Sequence, residues 1–168
     1  MKSTGEVLGI ARTFDDALLK GLAGAGYSLR RPEPGAGKCV LLTVKDADKP
    51  EIIDIAWNFK ELGYKLYGTS GTAYWLGQHM VACNEIAKLS DDVHPNIMDL
   101  FESGRVDYVL STSSKGRIPT NDSVKMRRKA VELSIPCLTA VDTANALLCC
   151  LKNGHTLRDV ELVDIAAL

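Results

Sequence analysis

The amino-acid sequence predicts an α/β domain built on an open, mainly parallel five-stranded sheet flanked by helices. From Lys38 onward, apolar runs of strand length alternate with helical patterns five times. The apolar runs are continuous rather than alternating, as strands covered on both faces of a sheet require. Parallel strands joined through helices are expected to have right-handed crossovers.

Each element can be assigned from its own pattern. Strands are predicted at 39–44, 64–69, 81–86, 106–111 and 135–140. Helices are predicted near 49–62, 72–80, 95–103, 121–134 and 142–152. In the first of these helices, apolar residues recur at i, i+3 and i+4, and Gly63 stands where a glycine would end the helix. The tail 156–165 fits either an edge strand or a last helix.

Residues 1–37 are predicted to form an amino-terminal arm that leads into a main domain at 38–168. Thr13 is a candidate N-cap, and Asp15 and Asp16 would lie in the first turn of a helix that runs to about Gly24. The stretch RRPEPGAG at 30–37 follows, and its proline and glycine content predicts a loop or linker.

The composition excludes several classes of function. A net charge of −1 provides no long-range field for nucleic acid or an anionic membrane, so we expect neither as a partner. No apolar run approaches the roughly 20 residues needed to span a bilayer. The five cysteines include no C-x-x-C pair, which predicts small buried thiols in a reducing compartment, the cytoplasm, and no metal site.

Two hydroxyl-rich loops follow strands of the predicted sheet. The first is Gly68-Thr69-Ser70-Gly71-Thr72, a strand–loop–helix junction whose free backbone N–H groups and hydroxyls suit a phosphate. Alternatively, Thr69 or Ser70 only caps the helix. The second loop, 111–117, holds four hydroxyls, a lysine and an arginine, and could instead be a flexible polar loop. Because the strands are parallel, we expect both loops on neighbouring strand ends at one edge, with Lys49 and Lys88 nearby.

General acid–base catalysis would require a carboxylate or histidine beside such a pocket, and neither hydroxyl loop contains one. The nearby candidates are Asp91, Asp92, His94 and Asp99, of which Asp99 fits the first turn of its own helix. His79 and His155 lie on or after helices, where surface positions are expected. The sequence therefore predicts a site that binds a phosphorylated molecule without transforming it, with no catalytic residue.

Several segments resemble the carboxyl-terminal part of the large subunit of carbamoyl-phosphate synthase. They are MKSTGEV at 1–7, GTSGTA at 68–73, NIMDLFESGRVDYVLSTSS at 96–114 and DSVKMRRKAVELSIP at 122–136. The resemblance implies that residues 1–37 are the end of a synthetase unit. It also implies that 38–168 is the Rossmann-like, methylglyoxal synthase-like allosteric domain of an ATP-dependent, glutamine-hydrolysing ligase.

The resemblance further implies a ligand, partners and site residues. The ligand would be a nucleotide effector, UMP or IMP, that controls carbamoyl phosphate synthesis for pyrimidine and arginine biosynthesis. The partners would be the rest of the large subunit and the glutaminase small subunit; ATP, Mg and K would act there, with no cofactor in this domain. The residues implied to bind the effector phosphate are Lys49, Thr69, Ser70, Gly71, Thr72 and Lys88. Those implied to contact ribose and base are Thr43, Ser111, Thr112, Ser113 and Asp122.

Two alternatives to a sensor of nucleotides remain. A lyase of the methylglyoxal synthase type would eliminate phosphate from dihydroxyacetone phosphate with an aspartate base. That family carries G-D-Q-Q where this chain has Pro95-Asn96-Ile97-Met98, and an aspartate in the loop where this chain has Ser111 to Ser114. The third interpretation is a structural interaction domain with a vestigial pocket. The sequence leaves open which effector is bound, and whether ornithine is sensed.

Overall fold

The computed structural model describes residues 5–27, 29, 31–112, 122–154, 156–164 and 166. The helices in these residues are α1 (Phe14–Gly24), α2 (Ile52–Glu61), α3 (Ser70–Gln78), α4 (Ile97–Glu102), α5 (Asp122–Glu132) and α6 (Val141–Asn153). The strands are β1 (Cys39–Thr43), β2 (Lys65–Gly68), β3 (Asn84–Glu85), β4 (Val106–Ser111) and β5 (Cys137–Leu138). Single 3₁₀ turns, Asp46–Asp48 and Leu89–Asp91, follow β1 and β3.

The five strands form one open sheet in the order β3-β2-β1-β4-β5, and every pair of neighbours is parallel. The predicted fold class is therefore confirmed, and the sheet is wholly rather than mainly parallel. β1 lies in the centre, and its first four residues are completely buried. Continuous burial along a strand means that both faces of the sheet are covered, as the apolar run at 39–44 indicated.

The two edge strands are much shorter than predicted. β3 and β5 have two residues each, where the sequence predicted six at 81–86 and at 135–140. An edge strand has one neighbour, so apolar residues beside it can be buried by helices without joining the hydrogen-bonded ladder. Val81 and Ile86 are examples, because both are buried outside β3.

Helices pack on both faces of the sheet. On one face, Cys39 and Leu41 of β1 join a buried cluster with residues of α4 and α5, including Phe101 and Met126. On the other face, Phe59 of α2 contacts Tyr108 of β4, with ring centroids 6.1 Å apart. These two layers fix the carboxyl ends of the strands, where each connecting loop begins.

α2 ends in a Schellman motif at Gly63, as its position predicted. Gly63 has φ +95°. The backbone N–H of Gly63 donates to Lys60 O at 2.9 Å, and that of Tyr64 donates to Phe59 O at 3.0 Å. Tyr64 then packs edge-on against Phe59, with ring centroids 5.7 Å apart. The motif turns the chain directly from α2 into β2.

Replacing Gly63 with alanine should lower the free energy of unfolding by about 1–2 kcal/mol, because an L-residue is strained at this φ. The new methyl group meets only Pro32 Cγ at 3.5 Å, so backbone strain dominates. The matched control is Gly77→Ala inside α3, where nothing lies within 4 Å and alanine should stabilise by about 0.5–1 kcal/mol. Chemical denaturation measures both; a neutral Gly63→Ala would contradict the assignment of strain.

The chain divides into two compact units. The larger spans Pro32–Ala144 and contains the sheet; the smaller combines the described residues up to Arg31 with those from Asn145 onward. The predicted boundary at residue 37 stays a prediction. In the smaller unit, Thr13 caps α1 as predicted, since Asp16 N donates to its Oγ1 at 3.2 Å.

The carboxyl-terminal part of the chain belongs to the smaller unit. The guanidinium group of Arg31 donates to Leu151 O at 3.0 Å and to Lys152 O at 2.5 Å, where it satisfies carbonyls at the end of α6. Residues 156–164 form neither a strand nor an α-helix, so neither predicted alternative for this segment is correct. A turn closed by Asp159 N donating to Thr156 O at 3.0 Å begins the segment.

The cysteines are less uniformly buried than predicted. Cys39 and Cys150 are buried, whereas Cys149 is exposed because successive residues of a helix face different sides. Burial raises the pKa of the Cys39 thiol to about 11, consistent with an unreactive core residue. Among the described residues, no group of histidine, cysteine and carboxylate side chains could hold a metal ion. None of the described helices is long and apolar enough to cross a membrane.

Candidate functional site

The order of the strands creates a crevice at the carboxyl edge of the sheet. From β1 the chain moves outward to β2 and β3, and then returns to place β4 on the other side of β1. The connections that leave β1 and β4 therefore diverge, and open α/β sheets bind ligands at this kind of switch point. Thr43 and Ser111, the last residues of β1 and β4, are direct partners in the ladder.

A cleft of about 330 Å³ lies at this crevice, within the range of small-molecule sites. The residues that line it are Thr43, Val44, Lys45, Thr69, Lys88, Ser90, Ile97, Thr112, Asp122, Ser123 and Met126. They come from the ends of β1, β2 and β4, from the turn after β3, and from α4 and α5. The wall therefore combines hydroxyls, two ammonium groups and one carboxylate with a small apolar surface.

The loop after β2 contributes Thr69 and the beginning of α3. Thr69 is the N-cap residue of α3, and its carbonyl accepts hydrogen bonds from Thr72 N at 2.8 Å and Ala73 N at 2.9 Å. Its hydroxyl caps nothing, which contradicts the simple capping alternative for Thr69. The first N–H groups of α3, those of Ser70 and Gly71, have no acceptor within the helix and carry the positive end of its dipole.

α3 begins at Ser70, two residues earlier than predicted, so Ser70 and Gly71 are its first helical residues rather than loop. Residues with low helix propensity are tolerated in a first turn, where few intrahelical bonds depend on them. Thr72 is almost completely buried, and its Oγ1 accepts a long hydrogen bond of 3.5 Å from Val44 N. Thr72 thus supports the segment after β1, and its hydroxyl proton remains able to donate.

Lys49 lies against the first turn of α3. Its Nζ is 2.7 Å from Asp46 Oδ1, and only 17% of its side chain is exposed, against 93% for Asp46. A Cβ placed on Gly71 would lie 3.4 Å from the same Nζ. The carbonyl of Lys49 accepts a hydrogen bond from Trp75 Nε1 at 3.0 Å, which ties the backbone of Lys49 to α3.

Lys88 approaches the same area from the turn after β3, and it lines the cleft. The pKa of the Asp46 carboxyl is lowered by its hydrogen bond from Lys49, and further by the positive charges of Lys49 and Lys88. The positive charges of both lysines therefore act on one exposed carboxylate. Of the six residues predicted to bind phosphate, Thr69 and Lys88 line the cleft, whereas Lys49, Ser70, Gly71 and Thr72 do not.

The opposite half of the cleft includes the end of β4 and the beginning of α5. Thr112 lines the cleft and its Oγ1 accepts a hydrogen bond from Lys45 N at 3.2 Å. Ser111 is buried and does not line it. Ser113 lies outside the described residues. Thr43 and Asp122 both line the cleft, and Asp122 Oδ2 accepts a hydrogen bond from Ser90 N at 2.9 Å.

One expectation about the two hydroxyl loops is wrong. They follow β2 and β4, which are not neighbours, because β1 lies between them. The segment after β1 adds Lys45 to the cleft, a residue that sequence reasoning missed. Lys45 Nζ pairs with Asp48 Oδ1 at 3.3 Å. Its place directly after a buried strand was a signal that could have identified it.

The carboxylates near the cleft are mostly engaged in local structure. Asp91 accepts the backbone N–H of Lys88 at 2.9 Å. Asp99 accepts the N–H of Asn96 at 2.7 Å and contacts His94 Nδ1 at 2.6 Å, so it serves the first turn of α4 as predicted. These two interactions, the Asn96 bond first, lower the pKa of Asp99. Asp122 is the exception, because its carboxylate reaches the cleft wall.

Comparisons with known proteins agree with this architecture. The family described as "MGS-like domain" matches residues 51–139, more than half of the chain. Two curated relatives are each named carbamoyl phosphate synthase large chain. The protein of Agathobacter rectalis is 43% identical over 169 residues, and that of Lachnoclostridium phytofermentans is 42% identical over 168 residues. Both matches cover 100% of this chain but 15% of the relative, so the chain corresponds to a small part of those proteins.

Two solved structures share the fold. Methylglyoxal synthase from Elizabethkingia anophelis NUHP1 superposes with a TM-score of 0.52 over 68% of this chain and 79% of its own, at 14% identity. The structure of ForH superposes with a TM-score of 0.51 over 70% of this chain and 79% of its own, at 17% identity. At such low identities these structures establish the arrangement of the sheet and helices alone.

Proposed function

We propose that this chain, which belongs to the family of MGS-like domains, is the regulatory domain of a carbamoyl phosphate synthase large chain and senses a nucleotide effector. The observation that carries the proposal is the cleft at the switch point of the sheet. One end of this cleft is lined by Thr69 and Lys88, and the first turn of α3, with Lys49 against it, follows Thr69 directly. Together they offer the donors that a phosphate dianion requires.

The rest of the cleft suits the remainder of a nucleotide. Thr112, Asp122 and Ser123 offer groups that can exchange hydrogen bonds with ribose hydroxyls. Ile97 and Met126 offer apolar contacts for a base. The similarity of the whole chain to a part of two carbamoyl phosphate synthase large chains supports a role in such a protein, and UMP or IMP is the effector that we propose. The remaining large chain and a glutaminase subunit would then be the partners, and ATP would be used outside this domain.

Sensing requires that the effector bind two states of the large chain unequally. The coupling free energy of such systems is about 1–3 kcal/mol, equivalent to a several-fold to hundredfold change in affinity. A phosphate held at the carboxyl edge of a sheet would bias the loops there without any bond of the ligand being broken. The domain itself would therefore be non-catalytic.

The proposal is tested by calorimetric titration of the chain with UMP, IMP, ornithine and inorganic phosphate. We expect at least one nucleotide to bind, and Thr69→Val to weaken binding by about tenfold, since a hydrogen bond to a charged phosphate is lost. Thr69→Val should leave the thermal midpoint nearly unchanged, because the hydroxyl caps nothing and valine keeps the shape. Thr143→Val, at an exposed position of α6, is the matched control. Failure of every phosphorylated compound to bind would reject the proposal.

A lyase of the methylglyoxal synthase type remains the second candidate, because Asp122 places a carboxylate in the cleft wall. A base must reach the proton that it abstracts, and Asp122 is the carboxylate of the described residues that lines this cleft. Incubation with dihydroxyacetone phosphate and an assay for methylglyoxal separates the two functions. We expect no turnover; methylglyoxal formation that disappears in Asp122→Asn would establish the lyase instead.

A further inference from the structure

A hydrogen bond joins the turn after β3 to the beginning of α5. The backbone N–H of Ser90 donates to Asp122 Oδ2 at 2.9 Å, and both residues line the cleft. The two residues are 32 positions apart in the chain. The bond therefore connects the side of the cleft that carries Lys88 with the side predicted to hold ribose and base.

Lys88 lies in the same turn, two residues before Ser90. Within the turn, the N–H of Lys88 donates to Asp91 Oδ2 at 2.9 Å, which fixes its internal shape. On the amino-terminal side of Lys88, the chain is attached to α4, because Ile97 N donates to Ala87 O at 3.2 Å. Beyond Lys88, Leu89 packs against the buried cluster that includes Phe101 and Met126, and the backbone N–H of Ser90 donates to Asp122. The polar anchor of the turn on this side of Lys88 is therefore a side-chain carboxylate.

We infer that Asp122 is a positioning residue for Lys88: its carboxylate holds the turn 88–91 so that the ammonium group faces the phosphate end of the cleft. The inference rests on the proposed function, since it assigns Lys88 to a phosphate. It gives Asp122 a role in addition to contact with the ribose or base, which the family resemblance implies. Asp122 would act on the phosphate through Lys88, without contacting it.

The charge of Asp122 makes this role measurable. A carboxylate in the cleft wall repels a bound anion, so electrostatics alone predicts that removing Asp122 strengthens phosphate binding. Contact with ribose alone predicts that inorganic phosphate, which has no ribose, binds unchanged. A positioning role predicts the opposite sign, because the loss of the anchor releases the turn that presents Lys88. Inorganic phosphate is therefore the informative probe.

The experiment titrates inorganic phosphate into wild-type protein, Asp122→Ala and Asp122→Asn. We expect Asp122→Ala to bind phosphate about tenfold more weakly, the effect of losing one hydrogen bond to a charged group. Asp122→Asn keeps an oxygen that accepts from Ser90 N and removes the negative charge, so it should bind phosphate at least as well as wild type. Hydrogen exchange of the backbone amide of Ser90 should accelerate in the alanine variant and stay slow in the asparagine variant.

The possible outcomes distinguish the inference from the proposed function. Wild-type protein that binds no phosphate would overturn both. Wild-type binding that is unchanged or stronger in Asp122→Ala would overturn the inference and leave the proposed function intact. Equal losses in Asp122→Ala and Asp122→Asn would also overturn it, because the asparagine keeps the anchor. Thermal melts of both variants check that the fold is retained, which we expect for a bond at the exposed rim.

Discussion

Inorganic phosphate and nucleotides should bind at least about tenfold more weakly to Lys88→Met and to Lys49→Met, because a hydrogen bond from an ammonium group to a dianion contributes about 1.5–3 kcal/mol. Methionine keeps an unbranched, flexible side chain, so the change removes mainly the charge. Lys49 pairs with Asp46 at 2.7 Å, and the charge of Lys88 also lowers the pKa of that carboxyl. The double variant should show no measurable binding in calorimetry.

Asp46→Asn should have the opposite effect and strengthen phosphate binding several-fold. In the structure, Asp46 Oδ1 lies 2.7 Å from Lys49 Nζ and compensates its charge. A phosphate has to compete with this exposed carboxylate for the same ammonium group. Removing the carboxylate charge ends the competition, and the gain should shrink as salt is added because exposed charges are screened.

Lys38→Met is the matched control for the two lysines. Lys38 precedes β1 at the amino edge of the sheet, and its Nζ pairs with Asp107 Oδ1 at 2.9 Å. Its loss lowers the net charge by the same amount as the other two substitutions. Phosphate affinity that falls equally in Lys38→Met would show that net charge, and not a local site, governs binding.

Replacing Gly9 with alanine should have the largest effect on stability, with a loss of about 3 kcal/mol for the smaller unit. A Cβ on Gly9 would lie 1.9 Å from Ala17 O and 2.7 Å from Gly21 N. Both atoms belong to the backbone of α1, so no side-chain rotation can relieve the contact. The segment before α1 would have to move away, breaking the hydrogen bond of 2.8 Å from Lys20 Nζ to Ile10 O.

Hydrogen exchange followed by mass spectrometry measures this effect directly. Peptides from α1 should lose protection in Gly9→Ala, whereas peptides from β1 and β4 should keep it. Gly5→Ala is the control in the same segment, since nothing lies within 4 Å of its new methyl group. Unchanged protection of α1 in Gly9→Ala would show that the close approach of segment and helix is not maintained in solution.

The central strand and the ends of several helices were predictable because their signals are local. The apolar run at 39–44 needed no partner to indicate burial on both faces, and Thr13 and Gly63 marked the ends of α1 and α2 by their own backbone preferences. The lengths of β3 and β5 were not predictable in this way. The length of an edge strand depends on how many of its residues pair with the neighbouring strand. A local sequence pattern does not contain this information.

In the candidate site, too, some features were predictable from the sequence and others were not. The strand-end rule pointed to Thr69 and Lys88, and both line one cleft. The rule could not decide which of two adjacent hydroxyls faces the cleft, and Thr112 does so in place of Ser111. The strand-end rule also missed Ser90. Ser90 binds Asp122 through its backbone N–H, and the type of side chain does not reveal such a bond.

The sequence by itself determined the class of the sheet, and it predicted the edge at which a ligand would bind and the kind of group that would bind there. These follow from hydrophobic period, turn chemistry and the rule that parallel strands expose their carboxyl ends together. Only the tertiary structure decided the strand order, with β1 between β2 and β4, and the pairing of Lys49 with Asp46 and of Ser90 with Asp122. Strand order and contacts between distant residues depend on packing among all elements at once, so no single stretch of the chain contains them.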